Sequence, residues 1–188
     1  MASVWTILTT GRSGWFYDSQ RSGGILVDIA SHQVVQVLAF SGSSRATVMG
    51  ASVRSEELHG RTSFQVLGEG WLQTESGCTA YMRVDWLTPD GLRSWGDGRL
   101  FVLGTAGTIE VRKNLDLAGD PRGRVLLVDE EGERALPVHG DEGEAYFAAL
   151  LAQFSRAQPP DQTACKLEFE AARLSLALQE ECPKVAQF

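Results

Sequence analysis

The chain has 188 residues, of which 43% are hydrophobic and 22% charged, and its net charge at pH 7 is −7. This composition is typical of a globular domain with a sizeable core and excludes a disordered chain. The 17 lysines and arginines are dispersed among 24 acidic residues, which argues against a nucleic-acid-binding protein. The apolar runs fall short of the ~20 residues of a membrane span, and the N-terminus lacks the features of a signal peptide.

Three cysteines, Cys78, Cys165 and Cys182, are widely spaced and odd in number. They form no Cys-x-x-Cys pair, so the sequence indicates neither a zinc site nor a disulfide framework, and no metal is expected. A reducing compartment keeps cysteines unpaired, and we therefore expect a cytoplasmic protein with free, buried thiols.

The spacing of apolar residues predicts a single α+β domain over residues 1–188. A strand is predicted over 4–9 and a helix over 25–40, after a loop that contains glycine. Two further helices are predicted over 142–156 and 163–181, and Leu167, Ala171, Leu174 and Leu178 lie along one side of the second. Between these helices, six segments have the composition of strands and are separated by turn residues: 46–54, 62–75, 77–87, 99–104, 107–113 and 124–128.

Short turns join these strands, so the sheet is predicted to be antiparallel and open-faced, with about six to eight strands and helices on one face. Alternating residues of the strand over 77–87 are expected to pack on the helices: Ala80, Met82, Val84 and Trp86. Tyr81, Phe101 and Leu103 are expected on the opposite face. Such a face suits a homodimer or higher oligomer, and a solvent-facing sheet with scattered apolar residues is the alternative.

Asp28 and His32 stand four residues apart on the helix over 25–40, which makes their side chains neighbours on one face. A carboxylate beside an imidazole favours the charged imidazole and orients its ring, which suits proton transfer near neutral pH. By itself such a pair is more often a hydrogen bond on the surface or in the core. One side of this helix is predicted to include Ile25, Ile29, His32, Gln36 and Ala39, and Leu26, Val34, Val37 and Leu38 broaden the apolar surface. The tryptophans of the predicted sheet region favour core packing over stacking on a sugar ring: Trp71, Trp86 and Trp95.

Two ordered motifs resemble one known family. The run GGILVDIASHQ, residues 23–33, is similar to the Gly-Gly-x-x-x-Asp-x-x-x-His signature that opens the C-terminal domain of Gfo/Idh/MocA oxidoreductases. The longer run YMRVDWLTPDGLRSWGDGRLFVLGTAGTIEVRKNLD, residues 81–116, is similar to the sheet segment of a bacterial subgroup of that family. With WFYD at 15–18, the resemblance extends over residues 12–181.

The resemblance implies the substrate-side domain of an NAD(P)-dependent dehydrogenase that acts on a CH–OH group of a small sugar or polyol. His32 matches the general acid/base of the family. Asp28 matches the acidic residue that holds the substrate or tunes the imidazole, and Trp15 is a further candidate substrate contact. The family's third catalytic residue is a lysine of an N-terminal Rossmann domain, and this sequence has no counterpart to it.

A Gly-x-Gly-x-x-Gly fingerprint occurs nowhere in the sequence. That fingerprint must end a parallel strand and open a helix, so that the helix N-terminus meets the pyrophosphate. No cofactor-binding residue is therefore predicted. We expect the chain alone to bind no NAD(P) and to be inactive, with a Rossmann domain as its missing partner and NAD(P) implied for a full-length relative. The alternative is a stand-alone, non-catalytic binding or oligomerisation module that kept the fold.

Overall fold

The computed structural model describes residues 13–58, 61–89, 91–92, 96–113, 123–138, 148, 151–155 and 162–182. After a 3-10 turn at Gly14–Tyr17, three helices follow closely: α1 (Ser19–Ser22), α2 (Ile25–Asp28) and α3 (Ala30–Ser41). The strands are β1 (Ala46–Leu58), β2 (Arg61–Thr74), β3 (Thr79–Asp85), β4 (Gly98–Gly104), β5 (Gly107–Lys113), β6 (Gly123–Asp129) and β7 (Gly132–Leu136). Residues 151–155 are helical, and α4 is Gln162–Glu181.

These elements confirm the predicted α+β class with antiparallel strands. The strand predicted over 4–9 and most of the helix predicted over 142–156 lie outside the described residues. The helix over 163–181 and the six predicted strands are present with small shifts in their ends. A seventh strand, β7, was not predicted, because its short sequence GERAL has a weak strand pattern and follows a charged turn.

The chain divides into two compact units, Met1–Leu87 with Pro160–Phe188, and Thr88–Pro159. The first unit contains a three-stranded sheet in the order β1-β2-β3, and the second a four-stranded sheet in the order β4-β5-β6-β7. The strands are thus divided between two sheets instead of forming the single sheet that was expected. The two units divide between Leu87 and Thr88. Pro89, which has no N–H to donate to a neighbouring strand, lies in the segment between β3 and β4. The single domain over 1–188 stays a prediction.

The core of the first unit lies between its helices and one face of the β1-β2-β3 sheet. In α3, Ala30, Val34 and Leu38 recur every four residues and are fully buried. In α4 the predicted residues Ala171, Leu174 and Leu178 are buried and Leu167 is partly buried, and they pack in one cluster with Leu72, Met82 and Val84 of the sheet. Ser175 is buried as well. Each large aliphatic side chain buried in this way contributes about 1.5–3 kcal/mol. The predicted inward face of β3 is confirmed.

The apolar surface predicted for the 25–40 helix is correct in part, because Leu26, Val34 and Leu38 are buried as predicted. His32, Gln36 and Ala39 are exposed, whereas the buried positions continue from Leu26 and recur at intervals of four residues. The stripe that contains the aliphatic side chains of Leu26, Val34 and Leu38 is the one buried against the sheet. The polar side chains of His32 and Gln36 remain in solvent.

One helical stretch of the described residues, Ser19–Ser41, passes the length and composition test for a membrane span, with a mean hydropathy of 1.4 over its most apolar window. In the structure this stretch is divided into α1, α2 and α3, and its large apolar residues Leu26, Val34 and Leu38 pack against the sheet. Its apolar composition is therefore explained by its position in the core of the first unit.

Candidate functional site

Two glycines with positive φ form the junction between α1 and α2. Gly23 (φ 85°, ψ −4°) ends α1 in the left-handed conformation, and its N–H donates to the Ser19 carbonyl. Gly24 (φ 78°, ψ 178°) lies in a region that is essentially restricted to glycine. A Cβ on Gly24 would lie 2.3 Å from Gln65 Oε1 and 2.6 Å from Gln179 Oε1. Both backbone conformation and lack of space therefore require glycine at position 24.

The first turn of α2 is capped from the sheet. The N–H of Ile25 donates to Gln65 Oε1 at 2.9 Å, and Gln65, on β2, is only 7% exposed. Gly24, at the N-cap position, has no side chain with which to cap the helix. The sheet therefore fixes the start of the helix that carries Asp28.

Asp28 and His32 lie on either side of a break in the helix at Ile29. Asp28 is the last residue of α2, and its N–H donates to the Gly24 carbonyl at 3.0 Å. The N–H of His32 donates to the Ile29 carbonyl, three residues back, which is the spacing of a tighter turn. Both side chains are exposed, and within the described residues no hydrogen bond joins them. Their catalytic assignment stays a prediction.

A shallow depression, about 230 Å³ with its solvent-open space included, borders Asp28. Its lining combines aromatic side chains, two hydroxyls, a carboxylate and an amide. Its lining residues are Phe16, Ser19, Ser22, Gly24, Asp28, Phe64, Gln65 and Trp86. Of the three predicted site residues, Asp28 belongs to this lining, whereas Trp15 and His32 do not.

An aromatic cluster forms one side of the depression. Phe16 and Tyr17, both 6% exposed, pack on Phe64 with ring centroids 5.9 Å and 5.4 Å away. Trp86 stacks on Phe64 at 6.4 Å, in agreement with its predicted role in packing. Trp15 is 47% exposed and touches the cluster through an edge-to-face contact with Phe16. The 3-10 turn thereby places Trp15 next to a residue that lines the depression.

The glycine-rich stretches of the second unit do not fit a dinucleotide site. Gly98 is the first residue of β4, and Gly104 and Gly107 pair across the turn between β4 and β5. A pyrophosphate needs a helix N-terminus after the glycines, and here an antiparallel hairpin takes that place. Neither stretch offers NAD(P) the backbone that the fingerprint supplies.

The outward face of the β1-β2-β3 sheet carries an aromatic pair beside a fixed carboxylate. The rings of Trp71 and Tyr81 lie 5.2 Å apart, and these residues are 38% and 54% exposed. The prediction that Trp71 belongs to the core is wrong, because its strand position directs it to the outward face opposite Tyr81. Glu69 accepts hydrogen bonds from the hydroxyls of Tyr81 and Ser52, which lower the pKa of its carboxyl. Trp95 lies outside the described residues.

The cysteines differ in their surroundings. Cys78 and Cys165 are exposed and Cys182 is partly buried, so the prediction of buried thiols is wrong for the first two. Burial raises the pKa of the Cys182 thiol to about 11, which keeps it protonated and unreactive at neutral pH.

A family model for the GFO/IDH/MocA C-terminal domain matches residues 3–110, a range that includes the Asp28/His32 helix and the β4-β5 hairpin. The chain belongs to this family. No match was found among curated proteins. The family match confirms the resemblance that the two sequence motifs indicated.

Solved structures of oxidoreductases share the fold of this GFO/IDH/MocA C-terminal domain. A protein assigned as an oxidoreductase from Erwinia carotovora atroseptica is 36% identical, with a TM-score of 0.83 over 94% of this chain and 53% of its own. KijD10, a 3-ketoreductase from Actinomadura kijaniata solved with NADP and TDP-benzene, is 19% identical, with a TM-score of 0.64 over 92% and 50%. A protein from Thermotoga maritima is 24% identical, with a TM-score of 0.60 over 89% and 49%. The chain thus spans about half the length of these relatives, and the last two show the fold alone.

Sequence reasoning missed Gln65 as a residue of the candidate site. Gln65 lies forty residues from Ile25 in the sequence, within a strand whose other residues gave no signal for a helix cap. The one sign in the sequence was a polar residue between the large apolar residues Phe64 and Val66. An amide buried at such a position normally has a hydrogen-bond partner.

Proposed function

We propose that this chain is the substrate-side domain of an NAD(P)-dependent dehydrogenase for a small sugar or polyol, inactive without a separate cofactor domain. The observation that carries this proposal is the position of the Asp28/His32 signature of the family at an exposed helix junction beside a depression. A scaffold without chemistry has no need of that pair. The family membership supports the same division between a substrate-side domain and a cofactor domain. So do the relatives, which are about twice as long as this chain and include an NADP-bound 3-ketoreductase.

In this proposal His32 accepts the proton of the substrate hydroxyl during oxidation and returns it during reduction. An exposed imidazole suits this role because its ring nitrogens can both accept and return a proton. The Asp28 carboxylate accepts a hydrogen bond from a neighbouring hydroxyl of the substrate. Trp15, which is 47% exposed, offers apolar surface to the C–H face of a sugar ring. The nicotinamide, held by another domain, supplies the hydride chemistry.

The proposal predicts that the isolated chain binds neither NADH nor NADPH. Its hairpin glycines offer no helix N-terminus to the pyrophosphate. Titration followed by nicotinamide fluorescence and by calorimetry measures this, with an intact family member as the positive control. Saturable binding to this chain would contradict the proposal that a separate domain binds the cofactor. Asp28 and His32 would then be tested as a complete site.

A cytoplasmic location belongs to the same proposal. The exposed thiols Cys78 and Cys165 are unpaired, as is usual in a reducing compartment.

We also propose that two copies of the chain associate through the outward face of the β1-β2-β3 sheet. This face exposes Met49, Trp71 and Tyr81, with exposed fractions of 60%, 38% and 54%. Glu69 and Arg83 face each other on adjacent strands of the same surface. Each copy therefore offers both an acidic and a basic group, so a twofold-symmetric contact can match opposite charges around the aromatic centre.

Light scattering at tens of micromolar is therefore expected to give at least twice the chain mass of 20.5 kDa. Trp71→Asp should shift the mass towards that of the monomer, because it places a charge in the centre of the contact. Phe40→Asp is the matched control, since Phe40 is 65% exposed and lies on α3 instead of the sheet. A monomer mass for the unchanged chain, or equal effects of the two substitutions, would exclude this interface.

A further inference from the structure

Gln65 is a buried amide with a defined partner at the candidate site. It is 7% exposed, and its Oε1 accepts the N–H of Ile25 at 2.9 Å. Because a backbone N–H can only donate, the atom that faces it must be the amide oxygen. A buried amide is tolerated where such a hydrogen bond offsets its desolvation.

The contact depends on the absence of a side chain at Gly24. Gly24 is the N-cap residue of α2, and a Cβ there would collide with Gln65 Oε1. Most helices are capped by the residue that begins them, whereas here the cap comes from a strand forty residues later in the chain. The first turn of the helix is therefore tied to the sheet and not to its own loop.

Asp28 lies in that same turn. Its N–H donates to the Gly24 carbonyl, and α2 consists of only four residues, Ile25–Asp28. Gln65 and Asp28 also line the same depression. Any change in the position of Ile25 is thus passed to Asp28 through a single helical turn.

We infer that Gln65 is a positioning residue: by capping α2 at Ile25, it holds the Asp28 carboxylate at the mouth of the depression. The functional meaning of this inference rests on the proposed function, in which Asp28 contacts the substrate. The positioning itself concerns only the chain as it exists and can be tested without any substrate.

The hydrogen bond is tested first in the unchanged chain by nuclear magnetic resonance. A scalar coupling between the Ile25 amide nitrogen and the Gln65 side-chain carbonyl carbon is expected. Its absence, with couplings resolved across the strand hydrogen bonds of the same sheet, would overturn the inference. This measurement does not depend on whether any variant folds.

Three variants then separate positioning from stability. Gln65→Met removes the acceptor at similar length, and it should speed exchange of the Ile25 amide about tenfold and shift the carboxyl carbon resonance of Asp28. Gln65→Glu retains an acceptor at the helix N-terminus and should restore both signals in large part. Thr74→Val is the matched control, because Thr74 is 4% exposed on the same strand and its Oγ1 accepts from Cys78 N–H at 3.1 Å.

The outcomes have distinct meanings. An unchanged Asp28 resonance in Gln65→Met, or an equal shift in Thr74→Val, would show that Gln65 acts only as a structural residue. A shifted Asp28 resonance supports the inference even if substitution of Asp28 or His32 later leaves catalysis intact. In that case the proposed function would fail and the positioning would stand.

Discussion

Substitution of His32 by alanine is expected to lower turnover by about 10²- to 10⁴-fold, the usual contribution of a general acid/base. The measurement requires the chain to be joined to the nicotinamide-binding domain of a family member and tested on a panel of polyols and sugars. Reduction of NAD(P) is followed by its absorbance. Because His32 is exposed, its loss should change the free energy of unfolding by no more than about 0.5 kcal/mol.

Gln36→Ala is the matched control for His32→Ala. Gln36 is also exposed, lies one turn further along α3, and has no counterpart in the family signature. The two variants should therefore have similar stability and differ strongly in turnover. Near-unchanged turnover of the His32 variant in an active fusion would refute the assignment of His32 as the acid/base.

Substitution of Gly24 by alanine is expected to destabilise the first unit by about 2–6 kcal/mol. Backbone strain in this glycine-only region contributes about 1–3 kcal/mol, and the added methyl group, 2.3 Å from Gln65 Oε1, contributes about 1–3 kcal/mol of overpacking. The methyl group must also displace Gln65 from Ile25, so the cap of α2 weakens at the same time. Urea unfolding, followed by the near-ultraviolet signal of the aromatic cluster, measures the change in free energy.

Gly42→Ala separates strain from crowding. Gly42 has φ 64° and ψ 22° at the end of α3, and a Cβ there would meet nothing within 4 Å. This substitution should cost only about 1–2 kcal/mol, the penalty for a left-handed backbone. If the two alanine variants lose equal unfolding free energy, crowding against Gln65 and Gln179 does not explain the requirement for glycine at position 24.

Local patterns in the sequence predicted most of the elements, because apolar periodicity and turn residues act over a few neighbours. The antiparallel strands, the inward face of β3 and the buried stripe of α4 all follow from such patterns. For the 25–40 helix, such patterns identified apolar residues on both stripes without deciding which stripe is buried. Two apolar stripes compete there, and only the shape of the sheet decides which of them is covered.

The candidate site shows the same division. The sequence alone identified the family signature with Asp28 and His32, and it showed that a dinucleotide fingerprint is absent from the chain. Only the tertiary structure decided that Gln65 caps the helix of Asp28, that Ile29 breaks the helix before His32, and that Trp71 lies on an exposed face. It also decided that the strands form two sheets. These features depend on contacts between residues far apart in the chain, and a local pattern carries no information about which distant partner a side chain will meet.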